Sequence, residues 1–195
     1  FWTQEEFQAF LECVADKPIS YYAFEMLYWT GIREGELLAL TPADFNFEKK
    51  TLRINKSYQR LEGKDAITDP KTPKSNRTIV MSDFLAVEME NFISSLYGIR
   101  DDDRIFTISK SYLHHEMDRG AKLAGVKKIR IYGLRHSHIS LLINLGFSAL
   151  AIGERVGYEA VDITYHYAHL FPTVQTDMAA QLETEREALV NVRKE

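Results

Sequence analysis

Thr30-Gly31-Ile32-Arg33-Glu34-Gly35-Glu36-Leu37 decides the fold once it is read with two later runs, Leu134-Arg135-His136-Ser137-His138 and Thr164-Tyr165-His166-Tyr167-Ala168-His169. A guanidinium is a planar fork that matches the non-bridging oxygens of a phosphodiester. A phenol can attack phosphorus and form a covalent ester. Two arginines and a tyrosine in this order point to a clamp on a phosphodiester and a hydroxyl to attack it.

Working outward from Arg33, the chain before it reads as two helices. Thr3 and Glu6 are spaced as a capping box, and the helix they open carries Phe7, Phe10, Leu11 and Val14 on one stripe. Pro18 ends the connection, and Ile19 to Thr30 reads as a second, largely buried helix rich in aromatics. Gly31 breaks it, and a short helix through Leu40 stops before Pro42. Glu36 shares a helical face with Arg33, where it either holds the guanidinium or makes an ordinary surface pair. From Thr51 the period changes. Leu52, Ile54, Ile67 and Ile79 sit in short β-branched stretches that predict a small, three-stranded antiparallel sheet, with Pro73-Lys74-Ser75-Asn76 as a turn.

After Ser82 the pattern is helical nearly to the end, over Ser82–Leu96, Tyr112–Leu123, Tyr132–Leu145, Ala149–Val156 and Val161–Leu170. In the third of these, Leu134, Ile139, Leu141, Leu142 and Leu145 are the core candidates. A last helix is expected from Pro172, charged beyond Leu182, so that 173–195 forms a tail. The fold class is α+β, mainly α, and 195 residues suit one domain with one sizeable core.

The quoted runs resemble the tyrosine recombinases, the phage-integrase-like enzymes that cut and rejoin DNA through a tyrosine. The likeness spans nearly the whole chain. It includes the opening Thr3-Gln4-Glu5-Glu6, Thr30 to Leu40, the hairpin-like Pro70-Lys71-Thr72-Pro73-Lys74-Ser75-Asn76-Arg77, Ile131 to Gly146, and Val156 to His169 followed by Leu170-Phe171-Pro172. The resemblance implies Arg33 and Arg135 as the phosphate clamp, Lys71 as general acid and Tyr167 as nucleophile. Tyr165 competes for that last role. Counting Tyr158, which follows Gly157, as the first residue, the tenth is Tyr167, as in the family, and the Tyr-Ala-His ending also selects it. Tyr165 is then a packing or surface residue.

Two positions depart from the family pattern. Tyr132 stands three residues before the second arginine and Tyr158 after the glycine, where the family usually has histidine, or at the second place histidine or tryptophan. A phenol can donate to a phosphate oxygen, so Tyr158 can keep that role. Tyr132 is a poor proton shuttle, because tyrosine titrates near pH ~10 and histidine near neutrality, so attenuated activity is expected. Two further readings share these residues: a topoisomerase-like nicking enzyme, and a decayed DNA-binding module.

The formal net charge of −4 conceals two positive blocks. Lys49 to Arg77 holds nine basic and three acidic residues, and Arg119 to Arg135 holds six basic and none acidic. Local charge governs contact with phosphates, so Lys56, Lys74, Arg77, Lys127, Lys128 and Arg130 are the expected DNA contacts. Double-stranded DNA is the expected partner, and the resemblance adds further protomers of the same recombinase assembled on it. No metal is expected, because His114/His115 and His136/His138 lack the three- or four-residue spacing of helical ligands and Cys13 stands alone. His136 is expected to support Arg135 or to pack in the core. No Gly-rich phosphate loop points to a nucleotide cofactor. No apolar run approaches the length of a membrane span, and one cysteine suits a cytoplasmic protein. A chain that opens at Phe1 is expected to be a fragment, and the resemblance implies a DNA-binding domain before it.

Overall fold

The computed structural model describes residues 1–61, 63–70, 72–171, 178–184 and 186. Lys71 and most of the expected tail lie outside the described residues, although 178–184 is helical. Among the described residues no helix is long and apolar enough to cross a membrane.

Helix α1 (Gln4–Val14) begins as the sequence predicts: Thr3 accepts from the Glu6 amide, and the Glu6 carboxylate accepts from the Thr3 amide. Its apolar stripe packs on α2 (Pro18–Thr30), where the Phe7 and Tyr28 rings stack with centroids 3.8 Å apart. It also packs on α5 (Lys110–Ala124) so closely that a Cβ at Gly120 would stand 2.5 Å from Phe10. Helix α3 (Glu34–Ala39) follows α2 after the break at Gly31.

The sheet is antiparallel and three-stranded, in the order β1 (Phe45–Asn46), β2 (Thr51–Ile54), β5 (Arg77–Val80), with Leu52 opposite Ile79. The sequence reading placed Ile67 in this sheet. It belongs instead to a separate two-stranded ribbon, β3 (Ser57–Leu61) paired with β4 (Lys64–Thr68). Ile67 is 50% exposed although its cross-strand partner Tyr58 is buried, whereas Leu52 and Ile79 are both buried. Pro73–Ser75 is a turn of 3₁₀ helix leading into β5.

Helix α4 (Asp83–Ser95), α5 and α6 (Ile131–Asn144) complete the main core. A second, smaller apolar cluster joins Ile139 and Ile143 of α6 to α7 (Ala149–Val156) and α8 (Ala160–Tyr167). Leu134 and Ile139 are buried as expected, but Leu141 and Leu142 are only half-buried and Leu145 is exposed. The buried stripe of α6 runs instead through Arg135, Ser137, His138 and Ser140. Polar residues take positions that a hydrophobic pattern assigns to leucines. Cys13 is half-buried.

Candidate active site

The inner ends of two helices build the site. Gly31 closes α2 and Gly157 closes α7, both in the left-handed region (φ 65° and 76°) that favours glycine. A helix C-terminus leaves carbonyls unpaired and carries the negative end of the helix dipole. Four arginines supply the missing donors. Arg135 donates from Nη1 to the Gly31 carbonyl at 2.5 Å and from Nη2 to the Val156 carbonyl. Arg33 Nη2 reaches the Gly157 carbonyl at 3.5 Å. Arg77 Nε donates to the Arg155 carbonyl at 2.8 Å, and Arg155 Nη2 to the Trp29 carbonyl at 3.1 Å.

One carboxylate balances this cluster. Glu36 accepts from Arg33 Nη1 at 2.8 Å, from the Arg33 amide at 2.8 Å, and from Arg77 Nη1 and Nη2 at 3.1 and 3.0 Å. Burial pushes its pKa up, but the hydrogen bonds and charge of Arg77, and then of Arg33, outweigh burial and hold it below 4.5. Of the two readings open for Glu36, the holding of Arg33 is the one found. His138 packs beneath, accepting from Arg155 Nε at 3.0 Å through Nε2, so that nitrogen is unprotonated. Burial, and then the Arg155 charge, push its pKa down to about 3.

The Tyr158 ring covers both predicted clamp residues, with its centroid 4.4 Å from the Arg135 guanidinium carbon and 5.3 Å from that of Arg33. Arg135 is only 1% exposed, and its buried Nε has no partner among the described residues. Burial and the neighbouring Arg33 charge lower its pKa. The Tyr158 hydroxyl bonds the Tyr132 hydroxyl. The Tyr132 pKa rises through burial and then that bond.

A cleft of about 680 Å³ opens beside the arginines. Lys56, Arg60, Lys110 and Arg130 stand on its walls with Arg33, Tyr132 and Arg135, and Pro70 and Thr72 line it too. Tyr167 does not line it. It lines a second cavity of about 260 Å³ with His136, His166 and His169. Tyr167 is 6% exposed, and its pKa is raised by burial first. Tyr165 is 82% exposed on the same helix, as a surface residue should be. Contacts link the two cavities: the Tyr132 ring lies edge-on to His136 at 4.8 Å, and His136 Nδ1 bonds the Tyr167 hydroxyl.

His136 was expected to support Arg135 or to pack in the core. It does neither, being half-buried and turned to Tyr167. The signal that could have found it is spacing, since His136 follows Tyr132 by four residues and so shares its helical face.

The expected DNA contacts divide. Arg77 is turned inward, its side chain only 6% exposed and paired with Glu36. Being a ligand for Glu36 and the α7 terminus leaves it no free fork, which corrects its expected position at the surface. Lys56 pairs with the buried Asp44, and Lys74 pairs with Glu159. Lys127 and Lys128 are exposed beside Glu6 and Asp118, at 3.3 and 2.7 Å. Arg130 lines the cleft.

Residues 1–173 match the model of the phage integrase family. The chain belongs to that family. It is 30% identical to the ICEBs1 integrase of Bacillus subtilis, with 94% of this chain and 54% of that protein covered. It is also 30% identical to the integrase of Staphylococcus phage L54a, with 83% and 51% covered. The chain thus spans about half the length of the curated relatives it matches. Among solved structures it shares the fold of the Tn1549 transposon integrase in complex with circular intermediate DNA, with a TM-score of 0.75 at 21% identity, covering 95% of this chain and 66% of that one. The catalytic domain of bacteriophage HP1 integrase gives 0.64 at 20% identity, with 93% of both chains covered. The helical fold with its small antiparallel sheet is therefore that of tyrosine-recombinase catalytic domains.

Proposed function

We propose that this chain is the catalytic domain of a site-specific recombinase that cuts and rejoins double-stranded DNA through a 3′-phosphotyrosyl intermediate. The observation that carries the reading is the convergence of Arg33 and Arg135 on the Tyr158 ring at the side of a basic cleft, in a chain of this family. The arginines are held by backbone carbonyls and Glu36 before any substrate arrives, so their charge needs no reorganisation as negative charge builds on phosphorus.

Tyr167 attacks the scissile phosphate and forms the phosphotyrosyl bond as the bond from phosphorus to the 5′-oxygen breaks. Lys71 protonates that oxygen; its sequence neighbours Pro70 and Thr72 line the cleft. Tyr158 donates its hydroxyl to a non-bridging oxygen, which requires it to leave Tyr132. A 5′-hydroxyl from a second strand then reverses the step. The bond energy is kept in the ester, so the reaction requires no nucleotide cofactor. Lys56, Lys74, Lys127, Lys128 and Arg130 steer and position the duplex through its phosphates, and further protomers of the same protein complete the assembly. The relative from Tn1549 was solved with DNA, which supports this partner.

The test is a nicked suicide duplex carrying the end sequences of the element that encodes the protein, incubated with the protein at its full natural length. A covalent adduct mapped to Tyr167 is expected. Arg33→Ala or Arg135→Ala should slow its formation by about a hundred- to a thousand-fold, as for loss of one oxyanion donor. DNA binding with no adduct would overturn the enzyme reading and leave a binding module.

A further inference from the structure

The position three residues before Arg135 holds a phenol whose hydroxyl is already engaged by Tyr158. One helical turn further along α6, on the same face, His136 Nδ1 meets the hydroxyl of Tyr167. The rings stand 5.6 Å apart between centroids, tilted by 43°. We infer that His136 is the general base for the nucleophile, the place left open by Tyr132. The inference rests on the recombinase reading above.

The proton balance is closed within the site. The Tyr167 O–H proton passes to Nδ1 as the phenolic oxygen bonds to phosphorus, and the imidazole, which carries its neutral-state proton on Nε2, becomes imidazolium. On rejoining, the leaving Tyr167 oxygen takes that proton back. Such a base must be unprotonated near neutral pH. Around His136 stand Tyr167 and His166 of α8, His169 beyond it, Tyr132 and Arg135 of its own helix, and Phe1. Burial, followed by the positive charge of Arg135, lowers the His136 pKa below 6.5. Full ionisation of a buried phenol is unfavourable, so transfer accompanies attack rather than preceding it.

The experiment is single-turnover cleavage of the suicide duplex between pH 5 and 9 by the full-length protein and three variants. His136→Asn retains a polar atom near the Nδ1 position without its basicity. Wild-type cleavage should fall as pH drops through a value below 6.5. In His136→Asn the rate at pH 8 should be about a hundredfold lower, with that acidic limb gone. Added imidazole should restore part of the rate to His136→Ala. Duplexes with a 5′-bridging sulfur, whose thiolate leaves without a proton, should rescue a Lys71→Ala variant but not His136→Asn.

An Asn variant with the wild-type rate or acidic limb would overturn the base assignment. So would a slow variant with an unchanged pH profile and no imidazole rescue, which marks a structural role. If the wild-type protein makes no Tyr167 adduct, the recombinase reading falls and this inference with it. An adduct with a normal His136→Asn rate removes the inference alone.

Discussion

Replacing Glu36 with glutamine tests whether one carboxylate organises the clamp. The two side chains have the same shape, so the change removes charge and exchanges an acceptor for a donor. Glu36 is 5% exposed and receives four hydrogen bonds, one from the Arg33 amide, one from the Arg33 guanidinium and two from Arg77. Glutamine offers one oxygen to these donors and turns an NH₂ toward the rest. Removing one partner of a buried ion pair costs on the order of 3–5 kcal/mol, because the remaining charge is left uncompensated; here two guanidinium groups are left. Urea unfolding should show that loss at pH 7 with little change in the denaturant slope, and the melting temperature should fall by roughly 10 °C. The sign with pH follows from the depressed pKa. Stability from Glu36 is complete above its ordinary value of 4.5 and is lost as pH falls through its lower value in the folded protein. Glu36→Gln lacks this titration, so the gap between the two proteins should narrow as acid is added below 4.5. Cleavage should fall with stability, since Arg33 loses its strongest anchor. A loss under about 1 kcal/mol at pH 7, or a gap independent of pH, would refute the reasoning.

Glu25 works in the opposite direction: burial, and then the charge of Glu88, push its pKa up to about 7. Folding therefore favours its protonated form, and the associated stability, full below pH 4.5, is lost as pH rises through 7. Glu25→Gln should stabilise by on the order of 2 kcal/mol at pH 8 and by little near pH 4.5, as read by urea titration at the two pH values. Gly120→Ala raises helix propensity but sets a methyl 2.5 Å from Phe10 and 2.6 Å from Val14. A fall of about 1–3 kcal/mol in thermal denaturation is expected, and a gain would show that α1 and α5 can part freely. Gly157→Ala combines φ of 76° with a Cβ 3.0 Å from the Lys74 carbonyl. It should cost about 1–2 kcal/mol or more and slow adduct formation, and an unperturbed cleavage rate would separate the clamp from the α7 terminus.

Local chemistry was legible in the sequence wherever one residue type has one physical use. The capping box of Thr3 and Glu6 was read from spacing and the break at Gly31 from residue type, while the resemblance left Tyr165 as a packing or surface residue, and it is exposed. Reading failed where tertiary pairing reverses a local pattern. Ile67 looks like a core strand residue but sits on a ribbon with an open face. Arg135 and His138 occupy the buried stripe of α6 because carbonyls from two other helices and Arg155 supply their partners. Arg77 was counted as a surface charge for the same reason, since its partner Glu36 lies 41 residues away in sequence. The Tyr167–His136 contact joins residues 31 apart, and although the four-residue step from Tyr132 puts His136 on the same face of its helix, it does not point to Tyr167 as the partner.

The ends of α2 and α7 hold the arginines by main-chain oxygen, and main chain is common to every residue. No single side-chain change deletes the carbonyls of Gly31, Val156 or Gly157. The clamp is therefore protected from most point mutations around it and exposed to few, those that alter Glu36, the two glycines or the arginines themselves. Apart from Gly153 and Arg155, variation can accumulate through residues 149–156 as long as the helix still ends at the same place. A library randomised across that helix with Gly153 and Arg155 kept should retain clamp function far more often than one randomised at positions 31 and 157 alone.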